Sequence, residues 1–374
     1  MKKSTFNFID VFSGAGGLSC GMEQAGLRCL LGIDFDRYAI ETFAQNHRHA
    51  ETYCGDVKKL NATLLKKLLK GQAVHAVVGG PPCQGFSTVG IGNPNDLRNS
   101  LFLEFVRLVR ETNPQFVVIE NVTGLLAKKN EKTLRAIFAQ FENLGFHLDV
   151  QVLSSEQYGT PEIRRRTIIL GTRLNVEVQF PVKTHKVAVT VGEALKNLAA
   201  TSDQTFNHDV SAAAIKSKLD LARIKHIPEG KGIRYAVDEK NYLPKKLKLN
   251  IDWEKLPEGR FRQTKYQRLD GQKPSPTIMT HRHNYFHPTE HRYLTAREAA
   301  RLQGFPNDFI FKGPLSAQWR QIGNAVPPTL GTAIAKALIT MQKLAKPASS
   351  KMRKVPVREQ ILDSRGKAFS YKNT

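Results

Sequence analysis

The chain has 374 residues, of which 41% are hydrophobic, and it carries 56 Lys and Arg against 33 Asp and Glu. This length is enough for a sizeable core and predicts two domains. No apolar run approaches the about 20 residues of a membrane-spanning helix, and the N-terminus lacks the features of a signal peptide. The net charge of +23 indicates a polyanionic partner, with nucleic acid first, although solubility alone is the simpler alternative.

The cysteines are few and scattered. The four are Cys20, Cys29, Cys54 and Cys83. None forms a C-x-x-C pair or lies beside clustered histidines, so we expect no metal site. Few cysteines and no export signal favour a reducing compartment, and we expect a cytoplasmic protein.

The first half of the chain alternates strand and helix patterns. "FNFIDVF" predicts a strand, a Gly-rich turn follows, and "LSCGMEQAG" predicts a helix ending at Gly26. The next strand and helix are "CLLGID" and "RYAIETFAQNH". Three further predicted strands are "AVHAVVGG", "QFVVIENV" and "RTIILGT", and the predicted helices "LFLEFVRLVRET" and "EKTLRAIFAQFENLG" lie between them in the sequence. This alternation predicts an α/β fold with a doubly wound, mainly parallel sheet, whose ligands bind at the carboxyl ends of the strands.

The second half has a different texture. Residues 200–290 are rich in Lys, Arg, His, Pro and Gly without a strong period. A helical stretch returns at "TAREAARLQGF", and a predicted turn, "QIGNAVPP", precedes the amphipathic helix "TLGTAIAKALITMQKLA". We therefore predict a first domain at residues 1–182, a smaller irregular domain at 183–290, a return segment at 291–345 and a basic, flexible tail at 346–374.

The Gly-rich turn between the first strand and helix is a candidate ligand loop. Gly14, Gly16 and Gly17 would let the backbone approach a ligand beneath a helix N-terminus. Asp34, at the end of the next strand, could hold ribose hydroxyls, and Asp36 is the neighbouring candidate. The pattern leaves open a dinucleotide, another adenosine ligand, or a connection without a ligand.

Two neighbouring positions have equally ordinary alternatives. Phe35 could stack on an adenine or be a core aromatic. Asp56, in "YCGDV", could accept from an adenine amino group or cap the helix that follows.

The stretch "GGPPCQGFS" contains a candidate nucleophile. Pro81 and Pro82 keep the chain extended after the strand, so the loop extends past the sheet edge and displays Cys83. A small buried cysteine is the alternative, and a free thiol needs help to become a thiolate.

Polar residues at two other strand ends could act with that thiol. Glu120 and Asn121 end an apolar strand, where desolvation would raise the pKa of the carboxyl and suit it to proton donation. In "EIRRRTIIL", strand alternation sends Arg164 and Arg166 to one face, where they could contact a base carbonyl or phosphates. Solvent-exposed charges are the alternative for each.

Nine segments in order resemble bacterial DNA (cytosine-5)-methyltransferases. They span Asp10 to Pro328 and comprise "DVFSGAGGL", "GID", "GDV", "GGPPCQGFS", "DLRNSLF", "ENV", "YGTPEIRRR", "RYLTAREAARLQGFP" and "QIGNAVPP". The resemblance implies the S-adenosylmethionine-dependent methyltransferase fold, with the irregular domain as the DNA-recognition region.

The resemblance also implies roles for individual residues. Cys83 would be the nucleophile, Glu120 the contact to the target base, Arg166 a further base contact and Arg164 its support. S-adenosylmethionine would be bound by Phe12, Gly14, Gly16, Asp34, Phe35, Asp56, Val57, Asn324 and Val326. Glu162 stands where the family usually has Gln, which puts the contacts of that position in doubt.

For partners, the resemblance implies a monomer that acts on a short, palindromic site in double-stranded DNA after flipping out the target base. A cognate restriction endonuclease would share the site without forming a stable complex. A solitary DNA methyltransferase, a non-catalytic relative, an RNA methyltransferase of the same fold and a nicotinamide-dependent dehydrogenase are the alternatives.

Overall fold

A computed structural model describes residues 6–82, 97–198 and 206–345. Within them the chain divides into two compact units. Unit 1 comprises the described parts of residues 1–158, 164–184 and 326–374, and unit 2 comprises residues 159–163 and 185–325. The predicted tail at 346–374 lies outside the described residues.

Unit 1 is built on a seven-stranded sheet. Its strands are β1 Asn7–Val11, β2 Arg28–Asp34, β3 Glu51–Cys54, β4 Ala76–Gly79, β5 Phe116–Val122, β6 His147–Ser154 and β8 Arg165–Thr172. The two-residue strand β7, Glu162–Ile163, lies between β6 and β8 in the sequence and belongs to unit 2. The order across the sheet is β3-β2-β1-β4-β5-β8-β6. Strands β1 to β5 pair in parallel, whereas β8 is antiparallel to both β5 and β6.

The helices of unit 1 follow the strands as crossover connections. They are α1 Gly17–Gln24, α2 Arg37–Asn46, α3 Ala62–Leu69, α4 Leu97–Thr112 and α5 Glu131–Glu142. A last helix, Pro328–Leu344, belongs to the same unit and packs against α1, where Thr332 Oγ1 donates to the carbonyl of Gly21 at 2.9 Å. Burial of the strands on both sides explains their continuous apolar runs; β1 and β4 are buried at every position.

The strand order reverses direction between β1 and β4. From β1 the chain passes to β2 and β3 on one side, and β4 and β5 lie on the other. Ligands of doubly wound sheets bind outside the carboxyl ends of the strands at such a reversal. The Gly-rich turn after β1 and the "GGPP" segment after β4 both begin there.

Unit 2 consists of short elements. In chain order, after β7, these are α6 Val191–Leu195, α7 Lys218–Ile224, β9 Ile233–Tyr235, α8 Ala236–Tyr242, β10 Arg260–Lys265, β11 Ser275–Pro276, α9 Ala296–Leu302 and α10 Leu315–Asn324. The last helix of unit 1, Pro328–Leu344, is labelled α11. β9 pairs antiparallel with β10. A small apolar core that includes Ile224, Ile233 and Phe286 holds this region together.

A buried arginine completes the interior of unit 2. Arg268 is 3% exposed, and its guanidinium donates to the backbone carbonyls of Ile224, Ile227, His287 and Glu290. Burial lowers the pKa of this guanidinium. The many carbonyl acceptors replace its lost hydration, as a buried charge requires.

The predicted α/β fold with a doubly wound, mainly parallel sheet is confirmed. The turn predicted over "QIGNAVPP" is wrong in its first half, because Gln321 to Asn324 form the last turn of α10. Pro327 and Pro328 end the connection and begin α11, since proline suits the first turn of a helix. The division into units places residues 185–325 together, and the predicted domain boundaries stay predictions.

Candidate active site

An ion pair lies at the carboxyl end of β5. Arg166 Nε is 2.7 Å from Glu120 Oε1, and the two side chains are only 16% and 14% exposed. The pair forms because β5 and β8 are antiparallel neighbours in which Val122 lies opposite Arg166. The sheet therefore joins two residues that are far apart in the sequence.

Two effects on the pKa of Glu120 oppose each other. Burial raises the pKa of its carboxyl, while the positive charges of Arg166 and Arg164 oppose that rise. Arg164 is itself 1% exposed. A carboxyl with a raised pKa, held in place by a charged partner, can donate a proton or accept a hydrogen bond.

The start of the cysteine loop lies against this pair. A Cβ at Gly80 would come within 2.9 Å of Glu120 Oε2, so a larger residue there would displace the carboxylate. Asn121 Nδ2 donates to the carbonyl of Pro81 at 3.0 Å. Cys83 and the residues Gln84 to Val89 lie outside the described residues. Pro82, which precedes Cys83, is the last residue described before residue 97.

The Gly-rich turn forms a tight loop above β1. The N–H of Gly14 donates to Asp34 Oδ2 at 2.8 Å, which ties the loop to the end of β2. Gly16 has φ +90°, and a Cβ there would lie 2.3 Å from the His47 ring. Only glycine meets both conditions. Phe12, in the left-handed region at φ 63°, begins this turn.

The acids after β2 have separate partners. Asp34 also accepts from the N–H of Asp36 at 2.9 Å, and burial raises the pKa of its carboxyl. Asp36 caps α2 by accepting from Tyr38 and Ala39. Phe35 is 79% exposed, so the alternative that it is a core aromatic is wrong.

The other candidates for cofactor binding lie on several elements. Asp56 caps a 3-10 helix that starts at Val57, which is buried. Its carboxylate therefore has the capping role that was one of its two alternatives. Val326 is partly buried in unit 1, just before α11, whereas Asn324 is the exposed last residue of α10 in unit 2.

Glu162 is fully buried in unit 2. It pairs with Ser275 in the short β7–β11 ladder, and its Oε1 accepts from the N–H of Ile278 at 2.5 Å. The amide oxygen of a glutamine would accept the same bond. The substitution thus keeps this backbone contact.

Sequence reasoning missed Asp10. It is 2% exposed within β1, where Ser19 Oγ donates to Oδ2 at 2.6 Å. Burial raises the pKa of this carboxyl to about 7, and the nearby charge of Asp34 adds to the rise. The signal was an acid inside the apolar run "NFIDVF", the same kind of signal that identified Glu120.

Comparison with known proteins adds to this geometry. The family model for the C-5 cytosine-specific DNA methylase matches residues 6–340. The chain belongs to this family. It is therefore a DNA (cytosine-5)-methyltransferase, and the alternatives of a dehydrogenase and a non-catalytic relative are wrong.

Curated methylases of the family are similar over most of the chain. The type II methyltransferase M1.HphI of Haemophilus parahaemolyticus is 36% identical over 344 residues, covering 90% of this chain and 87% of the relative. M.DdeI of Desulfomicrobium norvegicum is 30% identical, covering 89% and 88% of the respective chains. A solved structure, described as a prophage-encoded DNA modification methyltransferase from E. coli, has a TM-score of 0.70 at 28% identity and covers 91% of this chain and 100% of its own.

The methylase has no helix, in the part of the chain that the structure describes, long and apolar enough to cross a membrane.

Proposed function

We propose that this methylase transfers the methyl group of S-adenosylmethionine to C5 of a cytosine within a short double-stranded DNA sequence. In this proposal Cys83 forms a covalent bond to C6 of the base after the base has left the stack. The observation that carries the proposal is the Glu120–Arg166 ion pair, which lies beside Gly80, three residues before Cys83.

The residues after β1 and β2 suit the proposed cofactor. The loop at Gly16 has no room for a side chain, and Asp34 holds it through Gly14. Phe35 presents an exposed ring next to that carboxylate, as stacking on an adenine would require. S-adenosylmethionine, when bound there, supplies the methyl group. We infer that Phe12, Asp56, Val57, Asn324 and Val326 complete the site.

Cysteine chemistry would overcome the poor nucleophilicity of C5. The Cys83 thiolate adds to C6 with its electron pair, which makes C5 enamine-like and able to attack the donor methyl. Transfer leaves S-adenosylhomocysteine as the second product. The C5 proton then passes to water, the electrons of the C5–H bond form the C5–C6 double bond, and the Sγ–C6 bond breaks with its electron pair returning to sulfur, which restores the thiolate. Glu120, whose pKa burial raises, would bind N3 and the exocyclic amine, and Arg166, supported by Arg164, would keep it in place.

The charge of the whole chain supports DNA as the substrate. A net charge of +23 provides the phosphate contacts that dominate DNA affinity. We infer that unit 2, with its basic β10 strand, recognises the sequence from the major groove. Type II methyltransferases among the relatives support a role in protecting this sequence from a cognate endonuclease in the cytoplasm.

The covalent step is tested with duplex DNA that carries 5-fluorocytosine in the target sequence. Fluorine cannot leave C5 as a proton does, so methyl transfer should trap the Cys83 adduct. We expect a mass increase of the wild type that requires S-adenosylmethionine, and no adduct with Cys83→Ala. Cys54, which is exposed at the end of β3, provides the matched control: Cys54→Ala should form the adduct. An adduct in Cys83→Ala would refute the proposed nucleophile.

The target itself is found by bisulfite sequencing of DNA from an expressing host. We expect 5-methylcytosine in one short sequence context. Methyl transfer to tRNA but not to duplex DNA would instead support the RNA alternative.

A further inference from the structure

Unit 2 contains a pocket of about 610 Å³. Among the described residues, none of the proposed catalytic groups lines it, and one of its lining residues, Asn324, also belongs to the proposed cofactor site. One wall is the segment from Thr280 to His283, and the other is formed by α10, including Trp319 and Arg320. All of these residues belong to unit 2.

The lining of the pocket is cationic. Arg282 and Arg320 supply its positive charge, and among the described residues that line it none is acidic. Burial lowers the pKa of the His283 imidazole, and the positive charges of Arg282 and His281 lower it further, so His283 lines the pocket as a polar ring and not as a cation. The potential of the two arginines favours an anion.

The position of Arg282 is fixed before any ligand binds. Its Nη1 donates to the carbonyl of Ala212 at 2.6 Å and its Nε lies 3.2 Å from His283 Nε2, while the guanidinium lies 5.8 Å from the centre of the Tyr293 ring. These bonds use two of its five N–H donors. Within the described chain, the other three have no acceptor. Tyr293 also contacts the ring of His283 edge-on.

A helix N-terminus adds to the same pocket. Helix α10 begins at Leu315 and has no side-chain cap, and both Leu315 and Ser316 line the pocket. The first N–H groups of a helix carry partial positive charge and commonly bind phosphate or carboxylate oxygens. The helix terminus and the arginines are independent features that favour the same ligand chemistry.

We propose that this pocket binds a phosphate group of the DNA backbone. The inference rests on the proposed function, since it assumes DNA as the substrate, and it assigns a contact that fixes position and carries no sequence preference. Arg282 and the α10 terminus would form the fixed part of the site, and Arg320, which is exposed on α10, would supply a second charge.

The test is the salt dependence of DNA affinity in Arg320→Gln. Removing one phosphate-binding charge should make the slope of log K against log salt less steep by about 1, with equal weakening for target and non-target duplexes. Arg320→Lys keeps the charge and should retain most of the slope. Lys66→Gln removes an equal charge from the exposed face of α3 in unit 1 and should leave the slope unchanged.

The outcomes separate this inference from the proposed function. An unchanged slope in Arg320→Gln, or an equal change in Lys66→Gln, overturns the inference even if the wild type methylates DNA. Absence of the Cys83 adduct in the wild type refutes the proposed function and leaves the slope comparison valid.

A second measurement identifies the source of the phosphate. If inorganic phosphate raises the Tm of the wild type but not of Arg320→Gln, while both have the same DNA slope, the pocket binds free phosphate and the assignment to the DNA backbone is wrong. The Tm values without phosphate also establish that both proteins are folded.

Discussion

Glu120 and Asp10 are acids inside apolar strands, but their surroundings give them different roles. Glu120 faces Arg166 and the start of the cysteine loop. Asp10 accepts from Ser19 of α1 and has no ion pair among the described residues. Burial raises the pKa of both carboxyls, and only Glu120 has a cation to oppose it.

The buried carboxyl of Asp10 makes stability depend on pH. Folded Asp10 keeps its proton to about pH 7, whereas the unfolded chain loses it near the ordinary pKa of 3.8. The folded state binds more protons between these values, so raising the pH lowers the free energy of unfolding. Asp10→Asn removes the titrating carboxyl, so its free energy of unfolding should not fall in this way. The variant should gain stability relative to the wild type between pH 4 and pH 7, by at most about 4 kcal/mol, and the difference between the two proteins should change little above pH 7.

Urea unfolding of both proteins at several pH values measures this difference. Glu254, which is exposed in unit 2, is the control, and Glu254→Gln should not reproduce the gain in stability that Asp10→Asn shows. A difference for Asp10→Asn that does not vary with pH would mean that the buried carboxyl has an ordinary pKa.

At the scale of elements, strand β5 carries Glu120 and also anchors the start of the cysteine loop. Successive residues perform these two tasks: Glu120 pairs with Arg166, and Asn121 donates to the carbonyl of Pro81. Both lie near the end of one strand, so the loop and the carboxyl share a rigid support. Sites supported by regular elements are more accurately positioned than sites formed by loops alone.

Removing the bond to Pro81 should loosen the cysteine loop without touching the cofactor site. We expect Asn121→Ala to lower kcat up to about tenfold, since one hydrogen bond contributes about 1 kcal/mol, and to leave the KM for S-adenosylmethionine unchanged. Steady-state methylation assays measure both constants.

Val122→Ala is the matched control, because this neighbouring side chain is 54% exposed. It should have wild-type kcat. Equal kcat in Asn121→Ala and the wild type would mean that the bond to Pro81 does not position the nucleophile.

At the scale of the whole molecule, part of the positive charge is concentrated at the end of the chain. Residues 346–374 carry eight of the 56 basic residues and only two acids. Phosphate contacts from such a segment would be independent of sequence, so they would strengthen all DNA binding equally.

A chain ending at Ala345 tests this contribution. We expect weaker DNA binding at low salt and a salt slope less steep by about 0.9 for each phosphate that the segment neutralises in the full-length protein, while the preference for the target sequence stays constant. A full-length variant with the eight basic residues replaced by Gln should match the truncated chain. Identical slopes in all three proteins would exclude a DNA contact from this segment.

The sequence by itself determined the sheet class, the Gly-rich turn and the identity of most candidate residues. Apolar runs and glycines report local constraints, because a strand buried on both faces needs continuous apolar residues and a tight turn needs positive φ. The segment resemblance determined the family in the same way, since it depends on residue types in order.

Only the tertiary structure decided how these residues combine. The pairing of Glu120 with Arg166 depends on β5 and β8 being antiparallel neighbours, and the bond from Gly14 to Asp34 depends on β1 lying beside β2. The helical end of "QIGN" and the pocket beside α10 likewise come from packing within unit 2. Contacts between residues distant in sequence depend on strand order and register, and no local pattern encodes these uniquely.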